Sequence, residues 1–217
     1  MRDKVIGRIL EDKIIAIVRG ADEDRILPLA EALAAGGVTM MEITFNQAKP
    51  ESFGATLRGI AKVRERFGDR LLAGAGTVLS PAQVDLARDA GALYIVSPNA
   101  DPAVIRRTRD LGLVSLPGAL SPGECICAHD AGADFVKLFP ASDLGTGYLK
   151  ALSAPLGHIR FLAVGGINET NAAAFIAAGA LGLGVGGNLV NKDWIAAGTW
   201  EKITGLARQL VRAVKES

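Results

Sequence analysis

The chain has 217 residues, 49% hydrophobic and 22% charged, enough to bury a sizeable core within one domain spanning residues 1–217. Twenty-four Lys and Arg stand against 23 Asp and Glu, a formal net charge of +1, so no charge bias recruits nucleic acid or an anionic membrane. No apolar run approaches the roughly 20 residues that span a bilayer, and two unpaired cysteines, Cys125 and Cys127, suit a reducing cytoplasm.

The opening "MRDKVIGRILEDK" reads as a charged amphipathic helix rather than a signal peptide. Eight short apolar runs follow: "IIAIV" (14–18), "VTMMEITF" (38–45), "LLAGAG" (71–76), "LYIVSP" (93–98), "LVSLPG" (113–118), "FVKLFP" (135–140), "IRFLAVGG" (159–166) and "LGLGVGG" (181–187). Runs that are hydrophobic without alternation suit parallel strands buried on both faces. Between them, Ser80-Pro81, Asp101-Pro102 and Ser121-Pro122 each place a capping residue before a proline suited to a first helical turn. Ser121 and Glu124 have capping-box spacing. The helices end on glycine in "AAGGV", "DAGAL", "DLGLV", "DAGAD" and "AAGAL", as left-handed C-caps favour. Eight strand–helix units in this length predict a (β/α)₈ TIM barrel, with the opening segment as an extra N-terminal helix on its floor and residues 201–215 as the last outer helix. An open doubly wound sheet is the competing architecture.

In such a barrel the C-terminal strand ends face the active site. Those ends carry Arg19, then Glu42, Thr44 and Asn46, then Thr77, Pro98, Lys137 with Phe139, Gly165-Gly166 and Gly186-Gly187. Lys137 interrupts the apolar run "FVKLFPAS", where an unpaired ammonium costs several kcal/mol. Either a neighbouring carboxylate pairs with it, or burial strips its proton so that it attacks a carbonyl. Glu42 is the one carboxylate among these strand ends and is suited to shuttle protons. Arg19 is suited to grip a substrate carboxylate bidentately, and Thr77 to donate a hydroxyl to the same group. The two Gly-Gly pairs end strands seven and eight, where this fold usually holds phosphate through backbone N–H groups. His129 and His158, the only histidines, show no ligand spacing, so no metal and no other cofactor is expected.

The motifs "MEITF", "GAGTVL", "IVSPN", "LPGALSPGE", "VKLFPAS" and "VGGIN", in order across nearly the whole chain, resemble the 2-keto-3-deoxy-6-phosphogluconate and 4-hydroxy-2-oxoglutarate aldolases. That resemblance implies a class I aldolase releasing pyruvate and an aldehyde (glyceraldehyde 3-phosphate or glyoxylate) from a small keto-acid substrate, and a homotrimer. It assigns Lys137 to the Schiff base, Glu42 to acid–base catalysis, and Thr77 and Phe139 to the pyruvate pocket. Three departures stand out. Asn46 replaces an arginine common on strand two, Val164 a threonine before Gly-Gly, and Gly187 a serine of the last phosphate loop. Arg19 could supply the missing charge. Asn46, Val164, Arg19 and Pro98-Asn99 look more like the phosphogalactonate branch, which Gly187 does not fit. Two other classes remain in view: a phosphosugar isomerase or epimerase, and a non-catalytic sugar-acid-binding barrel. Only a lyase of this kind forms a reducible adduct with pyruvate.

Overall fold

The computed structural model describes residues 1–20 and 22–216. Nine parallel strands alternate with helices: β1 (Ile14–Val18), β2 (Met40–Thr44), β3 (Leu72–Gly76), β4 (Tyr94–Val96), β5 (Val114–Leu116), β6 (Gly118–Ala119), β7 (Val136–Leu138), β8 (Phe161–Val164) and β9 (Gly182–Val185). They pair in the order β5-β4-β3-β2-β1-β9-β8-β7-β6. The two ends of that order, β5 and β6, are halves of one run, "LVSLPG". The run divides at Pro117, which has no N–H to donate. Its first half pairs with β4 and its second with β7. The Pro117 carbonyl still accepts from the Lys137 N–H at 2.9 Å. A Cβ at Gly118 would lie 2.3 Å from the Pro98 carbonyl oxygen, so only glycine lets strands four and five approach this closely. The fifth run thus holds both neighbours and closes an eight-stranded TIM barrel, with the ninth strand a product of its break.

Strand residues point alternately inward and outward, and the packing separates accordingly. Ile14, Ala16 and Val18 join the layer between sheet and helices, while Ile15 and Ile17 face the barrel interior with Met40, Leu72, Tyr94, Val96, Leu116, Leu162 and Val164. In β7, Val136 and Leu138 belong to the outer layer, so Lys137 between them faces inward. In β2, Met41 and Ile43 point outward, and Met40, Glu42 and Thr44 take the inner face. The sequence periodicity alone therefore aims the amine and the carboxylate into the same interior.

The floor is closed by α1 (Arg2–Asp12), whose Val5 and Ile9 are buried in the interior cluster. At the outer ring, α10 (Trp200–Lys215) packs on α2 (Ile26–Ala35), the last helix against the first. Thr204 Oγ1 donates to the Ala32 carbonyl at 2.9 Å across that seam. The caps form as the sequence signals. The Ser80 hydroxyl accepts from Gln83 N–H at 3.3 Å, Asp101 Oδ1 from Ala103 N–H at 2.7 Å, and Ser121 and Glu124 make the reciprocal box. Gly37, Gly91, Gly112, Gly132 and Gly179 all have positive φ at the helix ends.

Gly74 sets how tightly the interior packs, because a Cβ there would lie 2.3 Å from the Tyr94 ring. Gly74→Ala should cost about 1–3 kcal/mol through overpacking, lowering Tm by roughly 2–4 °C per kcal/mol. Thermal unfolding of the variant measures it, and an unchanged Tm would show that Tyr94 can move aside.

Candidate active site

Lys137 and Glu42 are nearly sealed from solvent, at 4% and 2% exposure. With the aliphatic side chains of Ile15, Ile17, Val96, Leu116, Leu162 and Val164, and with Gly184, they surround a pinched cavity of about 10 Å³. That is about the space of one water. Among the described residues no ion pair within 4.0 Å involves either group, so direct neutralisation of one by the other does not account for their burial. Burial drives the Lys137 ammonium below its ordinary pKa; Glu42 opposes the shift and Arg19 adds to it. Burial also lifts the Glu42 carboxyl above the usual carboxylate range, against the pull of Lys137 and Arg19. An amine and a carboxyl both pushed by burial toward their uncharged forms are a constellation suited to imine chemistry. The Lys137 Nζ lies 5.0 Å from the centroid of the Phe139 ring, which walls the amine on the outer side.

Glu42 owes its place to a missing side chain. A Cβ on Gly76, at the end of the paired strand β3, would lie 2.7 Å from Glu42 Oε1. The next residue, Thr77, has φ 58°, a left-handed conformation uncommon for a β-branched residue. A glutamine pair holds this strained turn. Gln47 Nε2 donates to the Thr77 carbonyl at 2.6 Å, Gln83 Nε2 donates to Gln47 Oε1 at 3.0 Å, and Gln83 Oε1 accepts from Leu79 N–H at 2.7 Å. Arg19, Thr44, Asn46 and Thr77 border one cavity of about 420 Å³ with Gln47 and Lys192. Asn46 Oδ1 accepts from Ala48 N–H at 3.1 Å, leaving its amide N–H groups for other partners.

A larger cavity of about 730 Å³ opens beyond the buried pair. Arg19, Phe139, Val164, Gly165, Gly166, Gly186 and Gly187 line it, together with Asn168, Asn188 and Lys192. Ile17 and Val164 border both this cavity and the pinched one below, so they form the neck between amine and opening. Val164 is seated on Gly184, where a Cβ would meet Val164 Cγ2 at 2.8 Å. Gly165 and Gly166 have φ 97° and 70°. A Cβ on Gly165 would meet the Phe139 ring at 3.1 Å, and one on Gly166 would meet Ser142 Cβ at 2.4 Å. Asn188 Nδ2 donates to Glu169 Oε2 at 2.7 Å and ties the two glycine loops together.

Most residues expected from the strand ends thus converge on connected cavities. Pro98 does not: it is exposed, and its contact is with Gly118 rather than with any of these cavities. Gln47, Gln83, Asn168 and Lys192 were not anticipated. "FNQ" and "GGNLVNK" carry ordinary loop residues, and only chain folding shows which of them face the opening. Among the described residues no group of three or more His, Cys, Asp and Glu could hold a metal ion.

An inward lysine desolvated in aliphatic walls, beside a proton-carrying carboxyl on a TIM barrel, is the arrangement of a class I aldolase. Residues 5–206 match the model of the KDPG and KHG aldolase family, and the chain belongs to that family. It is 37% identical over 205 residues to the 2-dehydro-3-deoxy-6-phosphogalactonate aldolase of Escherichia coli strain K12, covering 94% of this chain and 95% of that one. The solved native KDPGal structure superposes with a TM-score of 0.84 at 36% identity, covering 94% of both chains. The KDPG aldolase of Legionella pneumophila, solved with pyruvate captured as a covalent carbinolamine, has a TM-score of 0.84 at 28% identity, over 94% of this chain and 97% of that one. This chain is an aldehyde-lyase that forms a Schiff base and releases pyruvate and an aldehyde.

The opposed influences on Lys137 make a signed prediction. Imine formation needs the neutral amine, so its rate falls as pH drops through the amine's pKa. Glu42→Gln removes the charge that raises this pKa and should move the acid limb to lower pH. Arg19→Ala removes one that lowers it and should move the limb to higher pH. Borohydride trapping of pyruvate followed between about pH 5 and 9 checks both, and limbs shifted in the same direction would contradict the arrangement.

Proposed function

We propose that Lys137 forms the imine, Glu42 moves the protons, and the substrate is a 2-keto-3-deoxy sugar acid accepted in its galacto configuration at least as well as its gluco one. The observation that carries the reading is the inward amine of Lys137, 4% exposed, in the pinched cavity below the neck that Ile17 and Val164 form with the large one. The amine adds to the C2 carbonyl, and Glu42 delivers a proton as water leaves the carbinolamine. Loss of the C4 hydroxyl proton to Glu42, directly or through water, lets the C3–C4 bond break, and its electron pair enters the imine as an enamine. Protonation at C3 and hydrolysis then return the amine and release pyruvate.

Arg19 holds the substrate carboxylate in this reading, with Thr77 and Thr44 beside it and Phe139 against the pyruvyl methyl. Val164 offers no hydroxyl at the neck, which leaves Asn46 to read the sugar. Gly165, Gly166, Gly186 and Gly187 hold the far end, a phosphate, by backbone N–H groups. Pro98 belongs to the pocket rim only by family resemblance. The E. coli relative's name, with its galactonate substrate, supports the configuration. The chain works as a single barrel, residues 1–217, without a cofactor. We place it in the cytoplasm, in keeping with free Cys125 and Cys127, and as a homotrimer by family resemblance. Among the described residues no helix is long and apolar enough to cross a membrane.

Borohydride reduction with pyruvate should inactivate the protein and leave a reduced pyruvyl group on the peptide containing Lys137, and Lys137→Ala should abolish both. An adduct on Lys150 instead would overturn the mechanism.

Substrate choice rests on two positions that can be restored. A Cβ at Gly187 meets nothing within 4 Å and its φ is not left-handed, so a serine fits there. Gly187→Ser should raise kcat/KM for phosphorylated substrates by roughly 10-fold or more, the weight of one charge-assisted hydrogen bond. Val164→Thr, nearly isosteric, should shift preference toward the gluco epimer. Rates for both epimers across these variants decide it; a gluco preference in the wild type, unmoved by Val164→Thr, would refute the galacto reading.

A further inference from the structure

The barrel floor carries a second cluster of charge that the aldol chemistry does not use. Asp134 sits just before β7, buried, and its Oδ1 accepts from Arg2 and, at 2.8 Å, from Arg109 Nη1, while Oδ2 accepts from Ser115 N–H at 2.9 Å. Arg160, just before β8, lies 5.8 Å from the centroid of the Phe135 ring. His129, near the end of the helix Pro122–Asp130, and His158 meet edge to face with centroids 4.9 Å apart. Arg2, Arg109, His129, Asp134, His158 and Arg160 line one cavity of about 350 Å³. It lies at the N-terminal ends of β7 and β8, so the barrel separates it from Lys137 and the glycine loops.

The charges there do not balance. Three guanidinium groups line the cavity with one buried carboxylate, and its two oxygens are already occupied by Arg2, Arg109 and the Ser115 N–H. Among the described residues the one other ion pair these arginines make is that of Arg2 with Asp3, at 3.8 Å on a side chain 98% exposed. Among the described residues no carboxylate lies within 4.0 Å of Arg160, His129 or His158. Like charges gathered around a hollow repel, and an anion among them relieves that repulsion. Arginine forks match phosphate oxygens two at a time, and imidazole N–H groups add further donors.

We propose that this floor cavity binds a small phosphorylated anion, held by Arg160, the free N–H groups of Arg109, and the His129–His158 pair. Asp134 positions Arg109 rather than meeting the ligand. The site is independent of the aldol site and of the substrate assigned to it.

The chain's histidine content provides a selective probe. His129 and His158 are the only two histidines, so their Cε1–H resonances report on this cavity and are blind to phosphate in the active site. Pyrophosphate titrated into the intact protein, at constant pH and ionic strength, should move both signals along a saturating curve with half-saturation at or below about 1 mM. Arg160→Ala, an exposed position, should raise that concentration by about 10-fold, the weight of one charge-assisted hydrogen bond. Borohydride trapping with pyruvate should be unchanged, which shows that the variant is folded; Arg160→Gln serves in its place if Ala does not fold. Linear drift without saturation, or a variant that titrates like wild type, would overturn the site. A saturating response to citrate with none to pyrophosphate would overturn the phosphate assignment.

Discussion

The desolvation of one amine is the constraint on which the rest of the site depends. Lys137 lies between Val136 and Leu138, which face the helices, so strand geometry leaves its side chain no direction but the barrel interior. Water is all but excluded there, and the walls that exclude it are aliphatic. An ammonium in such surroundings loses its proton more easily than in water. The neighbouring charges then act as fine adjustment: Glu42 stabilises the charged amine, and Arg19 opposes it. Because Glu42 is buried too, its own carboxyl is lifted toward the range where it can exchange protons. Burial thus shifts the amine and the carboxyl together, each toward its uncharged form.

A space this small can hold two such side chains only where others are missing. Gly76 makes room for the Glu42 carboxylate, Gly184 for Val164, and Gly74 for the Tyr94 ring. Gly165 and Gly166, with left-handed φ, pass close against Phe139 and Ser142. The glycines therefore do two kinds of work. In the strands they clear volume around functional side chains, and in the loops they bare backbone N–H groups to the cavity. Thr77 is the exception that takes a left-handed turn with a side chain, and a pair of glutamines holds it there.

The two ends of the barrel are built for different purposes. At the floor, Val5 and Ile9 of the first helix plug the interior, and the seam between α10 and α2 completes the outer ring. At the opposite end the interior widens past Ile17 and Val164 into open cavities. Val164 stands at the neck, Asn46 on one wall, and the two glycine loops, joined by Asn188 and Glu169, at the far end.

Much of this was legible in the residues themselves. Unbroken apolar runs, Ser-Pro and Asp-Pro starts and glycine stops are local signals, and each marks its element without reference to distant chain. Eight such units have few ways to bury both faces of every strand, so the barrel follows from them, as does the inward aim of Lys137 and Glu42. Other features depend on which distant segments meet. The close pass of Gly118 by the Pro98 carbonyl, next to the division of the fifth strand at Pro117, is one of them. The Gln47–Gln83 clamp and the place of Lys192 beside Arg19 join loops far apart in sequence. So does the meeting of His129 with His158, whose sequence spacing gave no sign of it. Periodicity is a property of neighbours along the chain, and the sequence by itself determined the elements, the barrel and the inward amine. Contacts across the barrel depend on strand register and loop path, and only the tertiary structure decided which polar residues share a cavity.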